Sequence, residues 1–434
     1  MRVHLWAAGV GLSLAFLALF AAPARADVAS DRAAAILVFP KVVVDQIDFI
    51  AEENGNTDDF NIRRDTIFQI TNTSDRTAEL QCFYVDATSR CAVTGTVCEV
   101  ERGLQCPLPG ELCLPNWTET DFRIFITPHQ PLAWNAATGM AREDVPLDGV
   151  AFRGINGASN AGTAIPPLAL GAVGQPLSVD LNYWNVFKGE LKCVVVEPDG
   201  SGSARNVMIG LATLQTTVSF VRIGSQPLTA GEGGAAQLLQ GQQVHASQYS
   251  AVGIQAIEGD SDGNRVLELG GERFEYNPCP NVLILDHFFD FATNPVVPGL
   301  AGVDIPFHRT DLTLVPCTED IRAQLPLPVT VQYLVFNEFE QRFSTSSPMN
   351  CFFQKTMSLI DTPDPKRSIF SAFVAGTLTG QTRIRGVGGG LIGVAERYDA
   401  DVRLSDDYYI PILNAAVNLH RQGDRTSVDR ITLP

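Results

Sequence analysis

The sequence predicts an all-β protein of antiparallel β-sandwich architecture, with two sandwich-like halves, long loops and a disulfide-rich insertion. Short β-branched or aromatic runs recur along the chain, and Gly, Pro, Asn and Asp bound them. After the N-terminal segment, no stretch keeps a helical period of about 3.6 residues. All nine cysteines lie after the N-terminal segment, and so many cysteines are typical of exported domains cross-linked by disulfides.

The N-terminal segment has the pattern of a secretory signal peptide. Arg2 precedes an apolar run over 5–22, and Ala24-Arg25-Ala26 has the small-x-small pattern that signal peptidase cuts. Cleavage there would leave a chain that begins at Asp27 and carries no membrane span. An uncleaved anchor is the alternative, because an apolar run of this length can cross a bilayer. We expect a secreted protein, in the periplasm or at the cell surface.

Composition and charge limit the partners that this chain can have. Hydrophobic residues make up 45% of the 434 residues and charged residues 18%, so the chain can bury a core and is not kept disordered by charge. The formal net charge of -17 would repel phosphate backbones and anionic lipids. We therefore expect no nucleic acid partner.

The first predicted strands come soon after the signal peptide. ILVFPKVVVD (36–45) predicts a strand, and Pro40 within it favours an edge position, where the missing N–H would face solvent. TIFQIT (66–71) and TAELQCFYVD (77–86) predict a hairpin that turns at the intervening NTSDR. This meander would form part of the first sandwich.

The predicted hairpin carries a local resemblance to a known fold. Its pattern I-x-N-T-S-D-R-T-A-x-L resembles hairpins of immunoglobulin-like sandwiches in secreted bacterial proteins, over about twenty residues. The resemblance implies a sandwich and no activity. In the second strand, the period of two places Leu80, Cys82 and Tyr84 on one face, so we expect Cys82 to point inward.

A cysteine-rich insertion is predicted over 88–115. VCEVERGLQCPLPGELC (97–113) has no hydrophobic period, so disulfides must hold it in place. It resembles the short C…CP.G..C modules of secreted bacterial proteins. Zinc is the alternative, but no His lies among these cysteines and no Cys-x-x-Cys pair occurs.

All nine cysteines are disulfide candidates, and an odd total leaves at least one thiol or an intermolecular bridge. We expect local pairing among the four insertion cysteines, and a link between two sheets from Cys82 to Cys193. The candidates are Cys82, Cys91, Cys98, Cys106, Cys113, Cys193, Cys279, Cys317 and Cys351.

The remaining signals divide the chain. LKCVVVEPDGSGSARNVMIGLATL (191–214) predicts a hairpin around Pro-Asp-Gly, and the Gly-, Ala- and Gln-rich stretch 224–243 predicts a loop or linker. One discontinuous domain is the alternative to two. The predicted units are a signal peptide 1–26, an N-terminal β-sandwich domain 27–223, a linker or long loop 224–248 and a C-terminal β-rich domain 249–434. Further strands are expected at 249–257, 281–289, 310–317, 328–344 and within 369–398.

Three segments have residues typical of catalytic sites. Gly259-Asp260-Ser261-Asp262-Gly263 fits the Gly-x-Ser-x-Gly elbow of hydrolases, but a strand is expected after it where a helix is needed. DHFFDF (286–291) places two Asp on one strand face and His287 on the other, which predicts an exposed acidic edge around buried Phe. Glu338 and Glu340 could flank a glycosidic bond, but a turn at Asn337-Glu338 explains them more simply.

The segment of the hydrolase-like match is also a candidate calcium loop. Asp-x-Asp-x-Asn is the spacing by which alternate side chains of a curved loop converge on a hard cation. Gly263 and Glu268 are not at EF-hand positions, so no helix-loop-helix is implied. A solvated Asp-Gly turn without metal is the alternative, and no other cofactor is expected. The candidate ligands are Glu258, Asp260, Asp262, Asn264 and Glu268.

These observations favour an exported, non-enzymatic surface or extracellular protein with a binding or structural role and a protein or glycan ligand. Long loops at sandwich ends and a rigid cysteine loop are suited to recognition. The alternative is a secreted hydrolase of polysaccharides or esters, with a site that only the fold brings together.

Overall fold

The computed structural model describes residues 32–49, 58–98, 105–140, 165–166, 168, 183–224, 237–273, 275–292, 308–325, 327–405 and 408–434. The predicted signal peptide lies outside them. The described chain is almost entirely β, as predicted, with three short helical turns: Met357–Leu359, Pro365–Arg367 and Ala372–Ala375. None of its helices is long and apolar enough to cross a membrane.

Strands β1 to β11 precede the acidic loop that contains Ser261. They are β1 (Ile36–Phe49), β2 (Asp58–Asn72), β3 (Ala78–Asp86), β4 (Arg90–Cys91), β5 (Cys113–Leu114), β6 (Thr118–Ile126), β7 (Pro131–Asn135), β8 (Tyr183–Val196), β9 (Met208–Gly224), β10 (Gln237–Ser250) and β11 (Val252–Ile254).

Strands β12 to β23 follow that loop. They are β12 (Val266–Leu269), β13 (Pro280–Phe288), β14 (Arg309–Pro316), β15 (Glu319–Asp320), β16 (Pro328–Asn337), β17 (Arg342–Asn350), β18 (Phe353–Thr356), β19 (Thr379–Val387), β20 (Leu391–Ser405), β21 (Tyr408–Asn418), β22 (His420–Asp424) and β23 (Asp429–Thr432).

The first sandwich is one antiparallel sheet that folds over on itself. Its strand order is β10-β9-β2-β1-β8-β3-β6, with β11 beside β1 and β7 beside β2. The start of β2 pairs with β1, whereas its end pairs with β7, so the end of β2 lies in a second layer. Aromatic rings fill the space between the layers: Phe68 lies 5.1 Å from Phe39 and 6.1 Å from Tyr84 between ring centroids.

The two predicted hairpins of this half are wrong in their pairing, although their strands are correct. β2 and β3 do not pair with each other, and neither do β8 and β9. Phe68 on β2 instead contacts Tyr84 on β3 across the core, because the short connection arches from one layer to the other. A turn motif shows where a chain reverses but not whether the next strand lies beside or opposite the first.

The layer that contains β1, β8 and β3 is buried on both faces. Leu37 and Cys82 face the first sandwich core, whereas Ile36 and Phe83 face a second core shared with the C-terminal half. Burial on both faces explains why ILVF and CVVV are continuous apolar runs. β1 is therefore a central strand and not the predicted edge strand, and a register shift between Phe39 and Val42 accommodates Pro40.

The C-terminal half forms a second sandwich. A four-stranded sheet, β18-β14-β20-β21, packs against a five-stranded sheet, β17-β16-β19-β13-β22. Their facing side chains form a core that includes Leu312, Val331, Tyr333 and Ile384. The five-stranded sheet, here called the outer sheet, turns its other face to solvent, since Gln332, Arg385 and other alternate residues are exposed.

The prediction of a linker over 224–248 is wrong for its second half, because strand β10 lies there. Residues 237–248 of that linker pair with β9 from Gln237 opposite Gly224 onward, and residues 225–236 lie outside the described part. The stretch is rich in Gly, Ala, Pro and Gln and lacks the alternation of apolar residues that predicts a strand, so its sequence favours a loop. The next strand, β11, pairs with β1, so the apolar core is continuous across the predicted domain boundary.

Four disulfides link eight of the nine cysteines. Cys91 pairs with Cys106 and Cys98 with Cys113, which confirms local pairing in the insertion. Cys82 pairs with Cys193 as predicted, but within one sheet and not between two, because β3 and β8 are neighbours and these residues lie opposite each other. The remaining pair is Cys279–Cys317, which leaves Cys351 as a buried free thiol.

Candidate functional site

The acidic loop between β11 and β12 is a tight, internally bonded turn. Gly259 and Gly263 have φ angles of 69° and 67°, which glycine adopts without strain. The Asp260 carboxylate accepts the backbone N–H groups of Asn264 at 3.2 Å and Arg265 at 2.9 Å. The Asp260 N–H donates to the Gly202 carbonyl at 2.9 Å, which fixes the loop to the first sandwich.

The structure brings only two of the five predicted ligands together. Asp260 and Asp262 lie side by side, and the exposed Glu258 does not join their cluster. Asn264 uses its Oδ1 to accept the Val266 N–H at 2.6 Å. Glu268 directs Oε1 to the Arg430 guanidinium at 3.1 Å. Of the five predicted ligands, only Asp260 and Asp262 therefore lie close enough to bind one ion together.

The third member of the cluster, Glu275, was missed by sequence reasoning. One carboxylate oxygen each from Asp260, Asp262 and Glu275 lie within 4.8 Å of one another. After β12, the chain returns beside the loop, and the Glu275 carbonyl accepts N–H groups from residues 257, 258 and 259. The nearest sequence signal is the Gly270-Gly271 pair, whose φ angles of 86° and 88° mark that reversal.

Glu275 is fully buried, and its hydrogen bonding is incomplete. Its Oε2 accepts the Glu268 N–H at 2.8 Å, whereas its Oε1 is buried with no hydrogen-bond partner among the described residues. Burial raises the pKa of Glu275, and the nearby carboxylates of Asp260, Asp262 and Glu268 raise it further. Burial likewise raises the pKa of Asp260. The cluster is therefore short of positive charge.

Arg273 supplies part of that charge from the solvent side. Its half-exposed guanidinium bonds the Asp262 carboxylate and lies 3.8 Å from Glu268 Oε2. Asp262 is itself 40% exposed, so this ion pair lies at the mouth of the cluster and not within it. A cation that entered the cluster would compete with Arg273 for Asp262.

A second candidate is a groove of about 820 Å³ on the solvent face of the outer sheet. Residues of three adjacent strands form most of it, because Gln332 lies opposite both Ser346 and Arg385, and Leu334 lies opposite Ser344 and Arg383. The period of two puts all these side chains on one face. The lining thus combines guanidinium, amide and hydroxyl groups around an apolar strip.

Arginines dominate the charge of this face, here called the arginine face: Arg342, Arg383 and Arg385. Arg383 donates to the Gln422 side chain, and none of the three forms an ion pair with a carboxylate in the part of the chain that the structure describes. Asp286, an acidic residue on the same face, accepts from the Gln381 side chain at 3.0 Å. Three arginines without a described carboxylate partner are thus grouped on a chain of net charge -17.

The segments with catalytic residue types take structural roles. Ser261 is exposed on the loop, and strand β12 follows it as predicted, without the helix that a nucleophile elbow needs. The Asn337 side chain accepts the N–H groups of Phe339 and Gln341, which confirms a turn beginning at Asn337. Glu338 accepts from Thr379 at 2.9 Å.

The prediction for DHFFDF is wrong at Asp290. β13 ends at Phe288, so the period of two no longer holds, and Asp290 is buried whereas Asp286 is exposed. The Asp290 carboxylate accepts N–H groups from Thr310 at 2.9 Å and Ser358 at 2.8 Å, and burial raises its pKa to about 7. His287 is buried against Thr382, and this burial lowers its pKa to about 4.

Comparisons with known proteins found no relative of this chain. No family model, curated protein or solved structure matches the chain. The immunoglobulin-like resemblance therefore stays a prediction.

Proposed function

We propose that this chain is an exported, non-enzymatic binding protein that recognises a carboxylated oligosaccharide on its arginine face. The observation that carries the proposal is the group of three arginines on one open sheet face that have no carboxylate partner among the residues that the structure describes. Guanidinium groups bind carboxylates through paired, charge-assisted hydrogen bonds.

The rest of the groove fits hydroxyl-rich ligands. Gln332, Ser344 and Ser346 can each donate and accept hydrogen bonds, as sugar hydroxyls require. Leu334 lies between Arg383 and Ser344 in the register and offers an apolar contact for a ring face. A sheet face presents no free backbone groups, so a peptide could not bind there by strand addition.

The charge of the whole chain favours a ligand with few charges over a dense polyanion. At a net charge of -17, long-range repulsion opposes nucleic acid, with one phosphate charge per roughly 1.7 Å of duplex. A short acidic oligosaccharide carries fewer charges, which the local arginines can pair. Export is consistent with four disulfides, since these persist in oxidising compartments.

Binding of uronate oligosaccharides by isothermal titration tests the proposal. We expect Arg383→Gln with Arg385→Gln to weaken binding about 100-fold, since each lost charge-assisted contact is worth about 1.5 kcal/mol. The matched control is Arg76→Gln with Arg322→Gln, which removes the same charge from exposed positions outside the groove. Equal affinity of the two double variants, or equal affinity of wild type for a neutral glucan, would refute it.

The same samples separate binding from hydrolysis. A binding protein leaves the oligosaccharide intact, so we expect no new reducing ends after overnight incubation. Release of reducing ends by the purified protein would favour the alternative of a secreted polysaccharide hydrolase.

A further inference from the structure

We propose that Asp260, Asp262 and Glu275 bind a calcium ion. Two oxygens on one calcium ion can lie up to about 5 Å apart, because calcium–oxygen distances are about 2.3 to 2.6 Å. The three carboxylate oxygens lie within 4.8 Å of one another and can therefore reach a single ion. Water would complete the coordination, as in exposed extracellular sites.

The independent observation is the buried oxygen of Glu275. A buried carboxylate oxygen without a donor is rare in folded proteins, because it loses its hydration without replacement. Glu275 Oε1 is in this state, on a residue that is fully buried beside two further carboxylates. A cation in the cluster supplies the missing partner.

The surrounding contacts favour a cation that binds without rearranging the loop. Asp260 is held by two backbone N–H groups and Glu275 by one, so both carboxylates are fixed before the ion arrives. Only Arg273 has to move, and its half-exposed side chain can leave Asp262 for solvent. Calcium and Arg273 are thus competitors for one carboxylate.

Titration of chelator-treated, full-length mature protein with calcium chloride tests the site. We expect one ion per chain, with a Kd of about 0.1 to 1 mM, the class of weak extracellular sites. Glu275→Gln and Asp262→Asn should each weaken binding about tenfold or more, because each removes one ligand charge. Magnesium should bind more weakly, since it demands a smaller and more regular site.

Two further variants distinguish a metal site from a structural cluster. Arg273→Gln removes the competing guanidinium, so calcium affinity should rise several-fold. Glu258→Gln, the control, removes an exposed charge outside the cluster and should change affinity less than twofold. The proposal is wrong if neither wild type nor Arg273→Gln binds calcium at 10 mM (roughly tenfold above the weakest such sites). Unchanged affinity in Glu275→Gln, with a native circular dichroism spectrum, would also overturn it.

Discussion

Lys192 is fully buried and lies between two carboxylates. It contacts Glu190 at 2.7 Å and also Glu319, and all three side chains are buried between the two sandwiches. Two carboxylates share one ammonium there, so one of them is short of charge compensation. Burial raises the pKa of Glu190 to about 8 despite the neighbouring Lys192.

This arrangement predicts a pH-dependent stability. A carboxyl group with a pKa of 4.5 in the unfolded chain and about 8 in the folded one binds an extra proton on folding. Its stabilisation is complete below pH 4.5 and is lost as the pH rises through about 8. The free energy of unfolding in urea should fall between pH 5 and pH 9 in both proteins. We expect this fall to be about 3 to 5 kcal/mol smaller in Glu190→Gln than in wild type. Equal losses in both proteins would contradict this assignment.

Cys351 gives a second prediction at the scale of one residue. It is buried, its Sγ accepts the Leu327 N–H at 2.9 Å, and burial raises its pKa to about 12. Ellman's reagent should therefore find no reactive thiol in the native protein at pH 8. In denaturant it should find one per chain, because four disulfides hold the other cysteines. Two or more thiols would contradict the disulfide pattern.

At the scale of elements, the turn between β16 and β17 predicts a stabilising substitution. Glu340 has a φ angle of 61°, which costs a non-glycine residue about 1 kcal/mol. Its side chain is exposed, so Glu340→Gly should stabilise the protein relative to Glu340→Ala by about 1 kcal/mol in urea unfolding. Equal stability of the two variants would show that the backbone there is unstrained.

Strands were easier to predict from the sequence than their partners. The alternating pattern of PVTVQYLVF correctly predicts β16, and the turn at Asn337 is also predicted. The strand expected over 328–344 nevertheless runs through that turn, where the structure has two paired strands, β16 and β17. By contrast, the connections from β2 to β3 and from β8 to β9 cross between layers, and nothing local in their turns records that. Pairing is decided by the burial of both faces of a strand, which depends on elements far away in sequence.

A buried ion pair joins the two halves of the molecule. Lys41 on β1 contacts Glu396 on β20 at 2.6 Å, and both side chains are buried. Burial opposes the charge of Glu396, but the Lys41 ammonium outweighs it and lowers the pKa of Glu396 to about 2. The two halves also share an apolar core, so neither is complete alone.

Breaking this pair should destabilise both halves together. Lys41→Met leaves a buried carboxylate without its ammonium, at a cost of about 3 to 5 kcal/mol. Lys41→Met combined with Glu396→Leu should recover most of the loss, since neither charge is then buried. Tryptophan fluorescence and far-ultraviolet circular dichroism should follow one common unfolding transition. Two separate transitions, with only one shifted by Lys41→Met, would mean that the halves fold independently.

The candidate sites show what a sequence can indicate at this scale. Asp260 and Asp262 were predicted together because they lie in one loop, whereas Glu275 joins them only through the return of the chain after β12. The arginine face combines residues from β17 and β19, whose charges are unremarkable in sequence. A site whose residues come from neighbouring strands can be predicted only when the order of the strands in the sheet is known.

The position of a bound acidic oligosaccharide shows whether the arginine face is the binding site. A crystal structure of the protein with a uronate tetrasaccharide should show an intact ligand across the outer sheet. Its carboxylates should contact Arg383 and Arg385, with hydroxyl groups near Gln332 and Ser346. A ligand bound elsewhere, or a cleaved product in another cavity, would rule out the arginine face as the binding site of an intact oligosaccharide.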